Sequence, residues 1–385
     1  MKTAYIFTGQ GSQKQGMGMT GYERSAGAKD VWDRADALCR KELGFSLLEI
    51  VRDNPKSISV NGNMMSHPEG VLNLTQFTQV AIVTLALAST AELKERNLHD
   101  DNALFAGHSL GEYAAISAIV PLEKMIKITY HRGLTMQNYV PRDEKGNSPY
   151  RMIVVRPNII GLTDGDLANV VDSIAKQSNG VLQIVNFNIR DEQYAITGEI
   201  PLLEQLKKFL NEQGEKVGMK KKSYLELPGI DVPFHSVALR PGVDVFRKTL
   251  EGIMSEELDY RDLEGRYIPN LNGCPFTLSR DYIERVYNNT QSPVLKDVLE
   301  NGVFDSKEVA HKLFIELLAY QFASPVQWIK TQEFLLGDEG VDRVIEIGPA
   351  PVLANMARIT LEKMGRNREI LHIEKDRPKI FGEGI

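Results

Sequence analysis

The sequence predicts an α/β fold: a large domain built on a parallel sheet, with a smaller unit inserted into it. Three observations carry this. Over about the first 140 residues, short apolar runs alternate with longer helical patterns, the signature of strands joined by crossover helices. Residues 149–228 then change character to four short strands interleaved with two helices. After residue 229 the chain returns to the larger unit. The large domain is therefore assigned to residues 1–148 and 229–385, and the insert to 149–228.

The elements follow in order. Ala4 to Phe7 is the first apolar strand. Gln76 to Lys94 reads as a helix, with Phe77, Val80, Ile82, Val83, Leu85 and Leu87 around an alanine-rich stripe. Ala103 to Ala106 is a second short strand, and Leu110 to Ala118 a segment of helix formers and small residues. A further helix spans Glu123 to Gln137. Pro141 to Pro149 is a turn-rich linker. In the insert, Met152–Val155, Leu182–Phe187, Tyr194–Thr197 and Tyr224–Leu227 read as strands, and Asp166–Gln177 and Pro201–Glu212 as helices. The second helix opens on a proline, which suits a first turn. The order β-α-β-β-α-β is ferredoxin-like, and Pro228-Gly229 ends it.

Composition sets outer limits. The chain has 385 residues, enough for two or three folding units. At 42% apolar and 25% charged residues it reads as an ordinary soluble protein. No apolar run approaches the length of a membrane span, and the first residues enter a strand at once, which predicts no signal peptide. Two cysteines, Cys39 and Cys274, with no paired spacing, point to a reducing compartment and no metal site. A net charge of −6 argues against a nucleic-acid partner. The most basic stretch, Lys216 to Lys222, reads as a solvated edge sooner than as a docking surface.

The most informative segment is Phe105-Ala-Gly-His-Ser-Leu-Gly-Glu112. A Gly-x-Ser-x-Gly between a strand and a helix is the pattern of a nucleophile elbow. On this basis the large domain is expected to be α/β-hydrolase-like, with Ser109 as nucleophile. The Leu110 amide, at a helix N-terminus, is placed to bond an oxyanion. A serine hydroxyl needs a base within hydrogen-bond reach. Of seven histidines, His67, His99 and His372 lie in polar stretches and read as surface residues. His131 lies beside Arg132, and His311 on an amphipathic helix. His108 neighbours Ser109 and should point away from its hydroxyl. His235 stands apart in a Gly- and Pro-bounded loop, Gly229 to Ser236, of the kind that carries catalytic groups. A loop histidine without a role remains the alternative.

These residues, taken with others, resemble the malonyl-CoA:acyl-carrier-protein transacylases. The resemblance rests on Gly9-Gln-Gly-Ser-Gln13, Gly107 to Glu112, His131-Arg-Gly-Leu-Thr-Met-Gln137, Val232-Pro-Phe-His-Ser236, Ser324-Pro-Val-Gln-Trp328 and Glu346-Ile-Gly-Pro349. Gly44 to Pro55, Val140 to Glu144, Arg266 to Asn270 and Glu316 to Ser324 look most like the malonyl/palmitoyl transferase domain of fungal-type I fatty acid synthases. Many such synthases split this domain between two polypeptides. Here both parts run on, with the join expected near Gly302 to Lys307.

The resemblance implies a ping-pong acyltransferase with Ser109 as nucleophile and His235 as base and then acid. It implies the Gln10 amide as second oxyanion donor beside Leu110. It gives Arg132 to the free carboxylate of malonyl, and the main-chain carbonyl of Gln327 to the His235 ring. Without an anionic orienter, the imidazole is expected near its ordinary pKa of about 6.5. Asn188 and Phe234, with Asn186, are candidate pocket residues in the cleft between the two units. No bound cofactor or metal is implied; the substrates are CoA thioesters and the phosphopantetheine of a carrier protein. The implied partners are acyl carrier protein, malonyl-CoA, palmitoyl-CoA and other fatty acid synthase domains, in the cytoplasm, with no nucleic acid and no membrane. A serine thioesterase or hydrolase, a polyketide-synthase-type acyltransferase, and a non-catalytic interaction domain are the rival readings.

Overall fold

A computed structural model describes residues 1–219, 221–227, 229–254, 259–337 and 340–382. Lys220 of the basic stretch and Pro228 at the expected domain boundary lie outside the described residues. Five strands form the large sheet: β1 (Thr3–Phe7), β4 (Leu104–Gly107), β9 (Tyr267–Ile268), β10 (Arg343–Ile347) and β11 (Glu369–His372). Between β1 and β4 a separate hairpin, β2 (Ser57–Val60) with β3 (Asn63–Ser66), stands outside it. The sheet order is β11-β10-β1-β4-β9, and each pairing is parallel. Alternate residues face opposite cores. Tyr5, Phe7, Phe105, Tyr267 and Ile345 join the larger cluster, while Ala4, Ile6, Leu104, Ala106 and Val344 join the smaller. Burial on both faces explains why these strands read as short apolar runs without polar alternation.

The helix expected at Gln76 to Lys94 spans Thr75–Glu95 and is buried along most of its length. Helix Leu122–Asn138 crosses it closely. A Cβ on Gly133 would stand 2.6 Å from the Gln76 Cα, so only glycine permits the approach. This crossing sets Arg132 beside Gln79.

The insert forms its own antiparallel sheet from β5 (Tyr150–Val155), β6 (Leu182–Ile189), β7 (Gln193–Glu199) and β8 (Tyr224–Glu226). Its order, β6-β7-β5-β8, is the ferredoxin-like arrangement. Helices Asp164–Ser178 and Ile200–Lys216 bury Leu167, Val171, Leu202, Leu206 and Leu210 on one face of it. The capping box at Thr163 and Asp166 starts the first of these helices. The outer edge of β6 does not stay open. The Val326 amide donates to the Val185 carbonyl (2.8 Å), and the Phe187 amide to the Val326 carbonyl (3.0 Å). A segment of the large domain thus pairs with the insert through an isolated parallel bridge at Val326, which covers part of an edge and fixes Val326 against β6.

Among the described residues no helix is long and apolar enough to cross a membrane, and no group of three or more His, Cys, Asp or Glu is placed to hold a metal ion.

Candidate active site

Strand β4 ends at Gly107, and the chain turns sharply into the short helix Gly111–Ala115. A Cβ on Gly107 would sit 1.9 Å from the Gly111 carbonyl carbon, and one on Gly111 would sit 1.9 Å from the Phe7 carbonyl oxygen. Both positions must be glycine for the elbow to lie against β1. The helix is shorter than the sequence pattern suggested. It passes into a 3₁₀ turn at Ile116–Ala118.

Ser109 has φ 55°, a left-handed conformation that costs a non-glycine residue about 1–3 kcal/mol. Side chains hold it at both peptide groups. Its amide donates to Asn270 Oδ1 (2.7 Å), and its carbonyl accepts from Gln321 Nε2 (2.5 Å). Asn270 is itself fixed, because its Nδ2 donates to the Gly107 carbonyl (2.5 Å).

His235 also has a positive φ, 61°, and its amide donates to the Phe322 carbonyl (2.8 Å). Its Nε2 lies 2.6 Å from Ser109 Oγ. Its Nδ1 faces two main-chain oxygens, those of Gln321 (2.9 Å) and Ser324 (3.2 Å). Carbonyls only accept, so Nδ1 carries the proton and Nε2 is left to accept from the serine. The carbonyl expected to do this, that of Gln327, is elsewhere. It begins helix Trp328–Leu336 and accepts from the Thr331 amide (3.2 Å). The chain bends between helix Lys307–Gln321 and the Val326 pairing, and that bend turns the Gln321 and Ser324 carbonyls toward the ring instead. The expected ordinary pKa is also corrected. Burial, first, and the Arg132 charge, second, push the His235 imidazole down to about 3. The sequence shows no acid nearby but gives no measure of how dry the loop is.

His108 turns away from the serine, as expected. Its ring lies 5.5 Å from Trp328, edge to face, and its Nε2 donates to Asn188 Oδ1 (2.9 Å). Asn188 is therefore a brace behind the elbow. Phe234 is half-buried and packs against apolar clusters of both units. Asn186 pairs with Val326. Of the other histidines, His372 departs from the surface reading. It is 1% exposed, and its Nδ1 accepts from the Glu374 and Lys375 amides.

The Gly9–Gln10 turn lies directly over the elbow. A Cβ on Gly9 would meet the His108 carbonyl oxygen at 2.4 Å and Ser109 Cβ at 3.4 Å. Neither the Gln10 nor the Leu110 amide has a hydrogen-bond partner among the described residues, as a pair of oxyanion donors requires.

Arg132 does not project into solvent. It is 2% exposed, with Nη1 donating to Gln79 Oε1 (2.9 Å) and Nη2 to Gln321 Oε1 (2.7 Å). Its guanidinium lies 4.9 Å from the centre of the Tyr113 ring. Nε of Arg132 and Nε2 of Gln79 are buried donors with no partner. No carboxylate lies within ion-pair distance of it among the described residues. Glu112, in the same region, is pushed up to about 7 by burial, and it accepts from the Tyr267 hydroxyl and the Asn270 amide. Asn270, Gln321, Gln79 and Glu112 were not singled out from the sequence. Three of them, Glu112, Asn270 and Gln321, stand in Gly107–Glu112, Arg266–Asn270 and Glu316–Ser324, segments that carry the family resemblance, and Gln79, a glutamine in an apolar helix, was a readable signal.

A serine on a strained elbow, a histidine of fixed tautomer at 2.6 Å from it and two unpartnered amides in the adjoining turns form the arrangement that acyl-serine chemistry requires. A family model described as acyl transferase domain matches residues 4–227. Fatty acid synthase 2 of Mycosarcoma maydis is 36% identical over 99% of this chain, and fatty acid synthase subunit beta of Schizosaccharomyces pombe is 34% identical over 78% of it. This chain belongs to the acyl transferase domain family. It spans only 13% and 19% of the lengths of those two relatives. Among solved structures, a malonyl CoA-acyl carrier protein transacylase from Clostridium perfringens superposes with a TM-score of 0.73. It is 25% identical, with 99% of this chain and 96% of that one covered.

Proposed function

We propose that this chain moves malonyl groups, and long acyl groups such as palmitoyl, between CoA and the phosphopantetheine thiol of an acyl carrier protein during fatty acid synthesis. One observation carries the reading: a buried arginine whose guanidinium donates to the neutral amide oxygens of Gln79 and Gln321, with no carboxylate at ion-pair distance among the described residues, near a Ser109–His235 pair at 2.6 Å. A hydrolase for neutral esters has no use for such a cation, whereas a diacid substrate supplies the charge it lacks.

In this mechanism Ser109 Oγ attacks the thioester carbonyl carbon as its proton passes to His235 Nε2. The oxyanion lies against the Gln10 and Leu110 amides. The C–S bond breaks, and His235 returns the proton to the departing CoA sulfur. The carrier thiol then attacks the acyl-serine ester, giving its proton to His235. Collapse of the second intermediate releases the acyl thioester and restores the Ser109 hydroxyl. The Arg132 guanidinium pairs with the free malonyl carboxylate in both halves. The names of the relatives suggest the other domains of a fatty acid synthase as its setting; we place the chain in the cytoplasm, and no cofactor is needed in either half-reaction.

Intact mass after incubation with malonyl-CoA tests it. The mass should rise by one malonyl group, mapping to the peptide with Gly107–Glu112, and Ser109→Ala should show no rise. A wild-type mass that never rises by that amount rejects the covalent mechanism.

A further inference from the structure

We propose that the Gln321 side chain is a positioning residue that sets the preference for a carboxylate-bearing acyl group. It ties Arg132 to the nucleophile elbow without neutralising the guanidinium. The inference rests on the acyl-serine reading above and goes beyond it.

Gln321 ends helix Lys307–Gln321 and is fully buried. Three of its groups meet three parts of the site. Its Oε1 accepts from Arg132 Nη2 (2.7 Å). Its Nε2 donates to the Ser109 carbonyl (2.5 Å) and reaches Asn270 Oδ1 (3.4 Å). Its main-chain carbonyl accepts from His235 Nδ1 (2.9 Å). The side chain therefore fixes how far the guanidinium stands from the serine that will carry the acyl group. That distance sets which chain length between ester and carboxylate fits.

The amide chemistry matters as much as the span. Gln79 and Gln321 hold two guanidinium nitrogens through neutral oxygens. A carboxylate at either place would form an internal ion pair, and the substrate's carboxylate would then meet a neutral pair carrying a repelling anion. In a dry site that repulsion is weakly screened. An amide oxygen orients the cation and leaves its charge to the substrate. The amide at 321 donates to the Ser109 carbonyl while it accepts from Arg132, which a carboxylate cannot do.

The test uses the full chain with Gln321→Glu and Gln321→Leu, both of which keep the main-chain carbonyl on His235. Acyl transfer from malonyl-CoA and from acetyl-CoA, which lacks the second carboxylate, is measured as kcat and KM separately, with thermal unfolding alongside. For Gln321→Glu the ratio of malonyl to acetyl kcat/KM should fall roughly ten- to a hundredfold, the range of one hydrogen bond to a charged group. Most of that fall should appear in KM for malonyl-CoA. Gln321→Leu should lower the ratio less, since it loosens Arg132 without opposing its charge, and this variant serves if the glutamate does not fold. Equal losses for both substrates, or an unchanged ratio in both variants, would overturn the proposal and leave a purely structural glutamine. A wild-type protein that never forms a malonyl ester would overturn the functional reading and this one together, whereas normal wild-type loading with an unmoved ratio overturns this one alone.

Discussion

Replacing Arg132 with alanine isolates the charge on which the substrate assignment depends. The side chain is 2% exposed, and two of its nitrogens are engaged by amide oxygens at 2.9 and 2.7 Å. A malonyl carboxylate brought to this guanidinium forms a desolvated, hydrogen-bonded ion pair. Truncating one member of such a pair costs about 2–5 kcal/mol, and at about 1.4 kcal/mol per decade that is roughly 30- to 4000-fold in kcat/KM for malonyl-CoA. Stability should move the other way or little. Burial holds the Arg132 pKa below its ordinary range, because the loss of water outweighs the attraction of Tyr113 and Glu112. Losing that penalty offsets part of the cavity left beside Tyr113. Palmitoyl-CoA brings no carboxylate, so its transfer should fall far less, or rise as the cation no longer has to be bypassed. The assay compares kcat/KM for malonyl-CoA and palmitoyl-CoA in wild type and Arg132→Ala, with melting curves for both. Equal losses for the two substrates would refute the reasoning and make Arg132 a structural residue.

Three further outcomes are expected. His235→Ala should lose about 10²–10⁴-fold in transfer, measured as the rate of acyl-serine formation, whereas His108→Ala should act mainly through stability by releasing Asn188 and Trp328; the reverse pattern would exchange their roles. With its pKa near 3, His235 stays neutral throughout the range from pH 5 to 8, so the loading rate should show no inflection near 6.5. The same shift has a stability consequence. Below about 6.5 the unfolded chain takes up a proton that the folded imidazole refuses, so this contribution is full above that pH and is lost as pH falls toward 3, at up to about 1.4 kcal/mol per pH unit; urea titrations at several pH values would reveal it. Finally, Arg377 pairs through both arms with Glu92, both nearly fully buried, with one contact at 3.0 Å; Arg96, at 3.7 Å, stays as a second cation on that carboxylate, so Arg377→Ala should destabilise by less than the roughly 3–5 kcal/mol of a fully unpaired buried charge, read from urea midpoints.

The alternation of apolar runs with helical patterns was enough to place β1, β4 and the long helix Thr75–Glu95, because strands buried on both faces have no polar positions to blur them. The elbow was legible for a similar reason: two glycines at fixed spacing answer to backbone approaches below 2 Å that no other residue survives. The insert's order of elements was readable from local periodicity alone. What local patterns could not supply was the relation between distant segments. The carbonyls that orient His235 depend on a bend between residues 321 and 326 and on the pairing of Val326 with β6. Neighbouring residues in that motif are alike on paper, and only the three-dimensional path tells Gln321 and Ser324 from Gln327. The burial of Arg132 was hidden too, because only the crossing at Gly133 shows that helix Thr75–Glu95 lies against that part of its helix.

The geometry divides the labour among segments far apart in the chain. Residues 9–10 and 107–110 supply the turn, the serine and the two open amides. Residue 132 supplies the cation, and 235 the base. The stretch 321–327 contributes no side chain to bond making, yet it meets every other part. Its Gln321 and Ser324 carbonyls fix the tautomer of His235, its Gln321 amide holds both the Ser109 carbonyl and Arg132, and its Val326 binds the inserted unit. Farther on, β10 lies beside β1, and its Ile347 carbonyl accepts from the Thr8 amide at 3.2 Å, just before the Gly9–Gln10 turn. The base without the segment from Glu316 onward would keep its imidazole but lose both acceptors that decide which nitrogen carries the proton. Catalytic competence in this fold is therefore a property of the join between the two parts of the large domain, since the serine side alone can position a nucleophile but cannot orient the group that activates it.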